Sequence, residues 1–124
     1  MSKQPYILIV EDDDWLAQQY VRTLAEAKMN ARAVGHALAA MDVIDEKIPD
    51  VLVLDVLLPG PNIFTLLHEF RSHSDLAAIP VILCTNSAEH LIDEDMAAYG
   101  VRTVLDKATM VPGDMIAAIK KILP

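Results

Sequence analysis

The stretch DVLVLDVLLPG, from Asp50 to Gly60, places one carboxylate, Asp55, after four consecutive apolar residues and before several more. A strand exposed on one face alternates apolar and polar side chains. VLVL does not alternate, which fits a strand covered on both faces of a parallel sheet. Moving a charge out of water is costly unless it has partners. Asp55 therefore needs partners, and other parts of the chain have to supply them.

YILIV (6–10), VILCT (81–85) and VRTVL (101–105) read as further strands, and ARAV (31–34) as a weaker one. Helical periodicity fills the intervals. Leu16, Tyr20, Leu24 and Ala27 recur every three or four residues, with Asn30 as the expected stop. Leu38, Met41, Ile44 and Ile48 repeat the pattern, as do Ile63, Leu66, Leu67 and Phe70. Ser87 reads as the N-cap of a helix carrying Leu91, Ile92, Met96 and Tyr99, which Gly100 ends. Pro112 suits a first helical turn, before Met115, Ile116, Ile119 and Leu123. Lys120 and Lys121 fall in that helix's last turn, where positive charge suits the dipole. Strands alternating with helices predict a doubly wound α/β sheet with helices on both faces, as one domain over residues 1–124.

Composition narrows the function. The 124 residues carry a formal net charge of −8. That argues against a nucleic-acid-binding surface and against docking on anionic membranes. No apolar run approaches the ~20 residues that cross a bilayer. The opening MSKQPYILIVEDDD is no signal peptide, because acids interrupt its apolar run. The single cysteine, Cys84, sits in VILC and reads as a small core residue, which fits a cytoplasmic protein.

In such sheets the site lies beyond the carboxyl ends of the strands. The first strand runs into Glu11, Asp12, Asp13 and Asp14. A phosphate-binding loop would want glycines and open amides there, and carboxylates would repel a phosphate. Oxygen ligands suit Mg²⁺ instead. Asp13 and Asp14 are adequately explained by the positive end of the following helix. Glu11 and Asp12 read as metal ligands because the first and third strands are neighbours in this topology, so that Asp55 faces them. Three clustered carboxylates resist joint ionisation, and a divalent cation removes that conflict. Thr85 ends the fourth strand and Lys107 follows the fifth. Alone, each is an ordinary residue. Together with the acids they form a set able to bind a cation and a phosphoryl group, with Asp55 as the nucleophile.

These residues resemble the receiver domain of two-component response regulators. ILIVEDD looks like the family's acidic first-strand motif, PDVLVLD like its phosphoacceptor strand, and PVILCT and VLDK like its hydroxyl and lysine segments. The resemblance implies a flavodoxin-like (βα)5 fold with a parallel five-stranded sheet in order 2-1-3-4-5. It implies Mg²⁺ held by Asp12, Asp55 and the backbone carbonyl of Leu57, with Glu11 reaching it through water. It implies that Asp55 accepts a phosphoryl group from a sensor histidine kinase or phosphotransfer protein, assisted by Thr85 and Lys107. The domain is then a switch that catalyses only its own phosphorylation and dephosphorylation. The kinase is expected beside the first helix, and an output protein on the face of the fourth helix, fifth strand and fifth helix, where His90 and Tyr99 could take part. With no output domain after Pro124, the chain is expected to work through partners, and a homodimer stays open. Trp15 reads as a partly buried packing residue.

The sequence departs from the family pattern at Val104, where an aromatic residue is usual, and at Ala108, where proline is usual. Asn86 is larger than the residue usual after the hydroxyl position, and Pro59 and Pro61 stiffen the loop beyond Asp55. These departures motivate a second reading, a receiver-like interaction module that works without phosphate. An aspartate-based phosphatase would want a second acid at Leu57, and a flavin carrier would want a phosphate loop.

Overall fold

The computed structural model describes residues 4–55, 67–69, 72, 76–86, 97 and 100–123. In chain order the elements are β1 (Tyr6–Val10), α1 (Asp14–Glu26), β2 (Asn30–Val34), α2 (Ala37–Glu46), β3 (Val51–Asp55), β4 (Val81–Thr85), β5 (Val101–Asp106) and α3 (Pro112–Ile122). The strands form one parallel sheet in the order β2-β1-β3-β4-β5. The fold is the flavodoxin-like doubly wound α/β sheet.

Every residue of β1, β3 and β4 is buried, which is why these strands show no alternation. Their side chains still alternate between two separate cores. Leu8, Val10, Leu52, Leu54 and Leu83 pack with Ala37, Ala40, Val43 and Ile44 of α2. Ile7, Ile9, Val51, Val53, Ile82 and Cys84 pack with Tyr20 and Leu24 of α1 and with Met115, Ala118 and Ile119 of α3. Successive strand residues point to opposite faces, so each apolar run serves both cores at once. The edge strand β2 lies more open, which accounts for its weaker signal.

Asp13 caps α1, its carboxylate accepting the Leu16 N–H at 3.0 Å. The far end differs from the expected stop at Asn30. Asn30 opens β2, its N–H donating to the Pro5 carbonyl at 2.8 Å. The helix closes two residues earlier through Lys28, which takes the left-handed φ of 63°. Lys28 N–H donates to Ala25 O at 3.0 Å and Met29 N–H to Leu24 O at 2.9 Å. This is a Schellman closure with Met29 and Leu24 both buried beneath it.

The apolar face of α2 keeps Met41 and Ile44 as expected but differs at Leu38 and Ile48. Ala37, Ala40, Val43 and Ile44 are buried, whereas Leu38 is 65% exposed and Ile48 lies outside the helix. Pro49 disfavours helical backbone at the residue before it, so Ile48 cannot extend the pattern. α3 begins as expected with Pro112 in its first turn. Its Asp114 carboxylate accepts the Val111 N–H at 2.9 Å, and Lys120 and Lys121 sit in the last turn. The expected helices carrying Ile63, Leu66 and Phe70, and running from Ser87 through His90, Leu91, Ile92 and Met96 to Tyr99, lie outside the described residues, as do Leu57, Pro59, Gly60 and Pro61. Leu67, which is described, is buried as expected.

Candidate functional site

The register of the sheet brings the candidate residues together. Val10 pairs with Leu54, so Glu11 and Asp55 leave neighbouring strands at the same edge. Asp55 pairs in turn with Cys84, which places Thr85 one residue beyond it on β4. Among the described residues, the buried polar or charged side chains are Glu11, Asp55 and Thr85. All three lie at the carboxyl ends of central strands, and the fold itself keeps water from them. Asp12, the next residue after Glu11, is exposed.

Lys107 reaches this group from the loop after β5. Its Nζ lies 2.7 Å from Glu11 Oε1 and 3.0 Å from Asp55 Oδ2. The contact with Glu11 Oε1 is an ion pair without an aligned hydrogen bond. Glu11 Oε2 accepts the Asp13 N–H at 3.3 Å. Carboxylate oxygens of Glu11, Asp12 and Asp55 all come within 4.8 Å of one another. The structure thus unites Glu11, Asp12, Asp55 and Lys107, with Thr85 on the adjacent strand end. Leu57 lies outside the described residues.

Burial dominates the electrostatics. It pushes the Glu11 carboxyl up to about 7, with the Lys107 ammonium opposing the rise and Asp55 adding to it. For Lys107 burial works against the charged form. Its pairing with Glu11 and Asp55 outweighs that, and the ammonium is held above its ordinary range. Burial also pushes the Cys84 thiol up to about 12, which makes it an inert core group as expected.

Three carboxyl groups facing one ammonium leave the cluster short of positive charge. The donors are all oxygen, and two of the three residues are buried. That set fits a hard divalent cation such as Mg²⁺.

Trp15 differs from its expected role, being 70% exposed on the first turn of α1. The buried face of that helix is Ala17, Tyr20 and Leu24, and Trp15 falls off it. It borders a cavity of about 270 Å³ with Tyr20, Lys107, Met110 and Met115. Val104 is half-buried and packs as an ordinary aliphatic side chain against the α2-side core. Asn86 is exposed. The carboxyl-edge rule points to Asp106 along with Lys107, but sequence reasoning gave no role to Asp106, whose hydrogen bonds shape the turn that carries Lys107. The signal was an Asp immediately before the lysine, followed by a residue with a free N–H.

The family model of the response regulator receiver domain matches residues 7–120. The chain belongs to this family. It is 30% identical over 119 residues to the transcriptional regulatory protein BaeR of Escherichia coli O6:H1, covering 96% of this chain and 48% of that one. It is 29% identical over 117 residues to the transcriptional regulatory protein GltR of Pseudomonas aeruginosa, covering 94% and 48%. The chain spans about half the length of these curated relatives. A signal receiver domain of a signal transduction histidine kinase from Syntrophus aciditrophicus superposes with a TM-score of 0.81 at 25% identity, covering 96% of this chain and 89% of that one. The chemotaxis response regulator CheY4 of Vibrio cholerae shares the fold, with a TM-score of 0.87 at 20% identity over 97% and 99% of the two chains. A receiver domain is a signalling module of two-component systems. Among the described residues no helix is long and apolar enough to cross a membrane.

Proposed function

We propose that residues 1–124 form a single phosphoacceptor receiver domain that takes a phosphoryl group on Asp55 and changes its partners in response. The observation that carries this reading is the Lys107 ammonium 3.0 Å from Asp55 Oδ2, within a cluster of three carboxyl groups. The donor is a phosphohistidine on a sensor histidine kinase or phosphotransfer protein. An Asp55 carboxylate oxygen attacks phosphorus, and the new O–P bond forms as the N–P bond breaks. The departing imidazole keeps the electron pair and takes a proton from solvent, leaving an acyl phosphate. Lys107 offers its ammonium to a phosphoryl oxygen, and Thr85 offers its hydroxyl to another. Thr85 ends β4 and Lys107 follows β5 directly, so both stand close to the sheet edge and little reorganisation is needed. Asp12, Asp55 and the Leu57 carbonyl would hold Mg²⁺, with Glu11 reaching it through water, and the ion when bound would supply the positive charge that the phosphoryl oxygens require. Hydrolysis of the acyl phosphate resets the domain, which acts as a cytoplasmic switch rather than a metabolic enzyme. Output passes to a protein partner on the face that includes β5 and α3.

A second reading, an interaction module that needs no phosphate, is favoured by Val104, which has no ring to swing. One experiment separates the two. Trp15 is the only tryptophan and stands at the start of α1, so its fluorescence reports on the site. The protein is titrated with Mg²⁺, then with beryllofluoride, and treated separately with a small phosphodonor before intact-mass measurement. Mg²⁺-dependent responses that Asp55→Asn abolishes are expected. A wild type that neither gains phosphate nor responds to beryllofluoride would sink the phosphoacceptor reading.

A further inference from the structure

Lys107 meets Asp55 from the edge of the sheet, and the chain has to be turned to allow it. β4 separates β5 from β3. Neighbouring strands lie about 4.8 Å apart, so β3 is roughly 10 Å from β5. A lysine stem reaches only about 6 Å. Yet the ammonium lies 3.0 Å from Asp55 and 2.7 Å from Glu11. The lysine stem, the 3.0 Å contact and the Asp55 side chain together just span that gap, so the ammonium arrives only if the backbone at position 107 aims it at the site.

The hydrogen bonds that hold this turn converge on Asp106. Its side-chain Oδ1 accepts the Ala108 N–H at 2.9 Å. Its carbonyl accepts the N–H groups of Thr109 at 3.2 Å and Met110 at 2.9 Å. Asp106 is itself anchored in the sheet, opposite Thr85, and the Lys107 N–H donates to the Thr85 carbonyl at 2.8 Å. A proline after the lysine would fix the loop through its ring but would offer no N–H. In this chain that position is Ala108, whose N–H is present and is taken by Asp106. A side chain that accepts an N–H two residues on is an Asx turn, which restricts the loop by a different route.

We propose that Asp106 is a positioning residue, holding Lys107 against Asp55 and Glu11 through its bond to the Ala108 N–H. Its consequence for phosphoryl transfer rests on the phosphoacceptor reading of Asp55. Its consequence for the position of Lys107 does not.

The test uses the full chain, Mg²⁺ and a small acyl phosphate donor, with single-turnover rates measured across donor concentrations. Asp106→Ala is expected to lower the saturating rate about tenfold or more, because misplacing a reacting group by an ångström has costs of that order. The half-saturating donor concentration should hardly move. Asp106→Asn keeps an Oδ1 acceptor and should recover most of the rate. In a Lys107→Ala background, Asp106→Ala should add less than about twofold, since the two residues act through one contact. Equal losses in both backgrounds would overturn the proposal, as would Asn performing no better than Ala. A crystal structure of Asp106→Ala gives an independent reading. Lys107 is expected to withdraw from Asp55, and an ammonium still at its present place would refute the idea. If the wild type takes up no phosphate, the phosphoacceptor reading fails, and that crystal structure alone decides the role of Asp106.

Discussion

Glu11 makes the folded protein sensitive to pH in a direction opposite to that of most surface acids. Its carboxyl rises from 4.5 to about 7 on folding, chiefly through burial. A group whose pKa is raised by folding holds its proton more tightly in the native state. Between the two values the native state binds more protons than the unfolded chain, so stability falls as pH rises. The full contribution is present below about 4.5 and is lost as pH passes through about 7. At 1.36 kcal/mol for each pH unit, the interval corresponds to about 3 kcal/mol at most. Lys107 and Asp55 share that shift, and residual solvent screens it, so roughly 1–2 kcal/mol is left for Glu11 alone. Glu11→Gln keeps the shape and removes the charge. In metal-free buffer, urea unfolding should show the variant more stable than wild type by about that amount at pH 8. At pH 5 the two should agree within about 0.5 kcal/mol, because the native Glu11 is then already neutral. A gap of the same size at both pH values would refute the reasoning, as would a variant less stable at pH 8. Adding Mg²⁺ should stabilise the wild type and narrow the gap, since a ligand of the native state adds stability by mass action.

The same carboxyl should release a proton when a divalent cation binds. Near pH 7 that release is expected to be roughly half a proton, fading by pH 9, and calorimetry in buffers of different ionisation heat would measure it. Lys28 occupies the left-handed region at φ 63°, so Lys28→Gly should stabilise the fold by about 0.5–1 kcal/mol, read from the urea midpoint. Asp13→Ala removes the N-cap bond to Leu16 and should cost about 1 kcal/mol in the same assay.

Much of this architecture was legible because burial on both faces leaves a simple trace. Apolar runs of four or five residues without alternation belong to a parallel sheet, and the carboxyl-edge rule then points to Glu11, Asp12, Asp55, Thr85 and Lys107. The contact of Lys107 with both Glu11 and Asp55 was not legible, since it depends on a turn made by Asp106 after the strand has ended. The face of α2 was right at Met41 and Ile44 and misread at Leu38, because hydropathy ranks Leu38 above Ala37 and Ala40. Packing reverses the order: the alanines face the sheet, and the leucine points outward. The end of α1 was misplaced because asparagine is the commoner left-handed residue after glycine. Asn30, however, is already committed to the sheet through Pro5.

The polar edge of the sheet is the place where the sequence departs from what stability alone would select. Replacing a buried ion pair by apolar residues of similar size is often neutral or stabilising. By strand alternation, leucines at Glu11 and Asp55 would continue the core that Ile9 and Val53 already serve. Instead the chain buries two acids, sets a lysine between them and leaves the charges unequal. Burial first, and Asp55 after it, push the Glu11 carboxyl up to about 7. Such perturbed groups cluster where chemistry needs them. Val104 packs in the α2-side core, and Ala108 gives its N–H to Asp106. The bond from Ala108 to Asp106 marks the turn behind Lys107 as the point where this chain has replaced one means of holding the site by another.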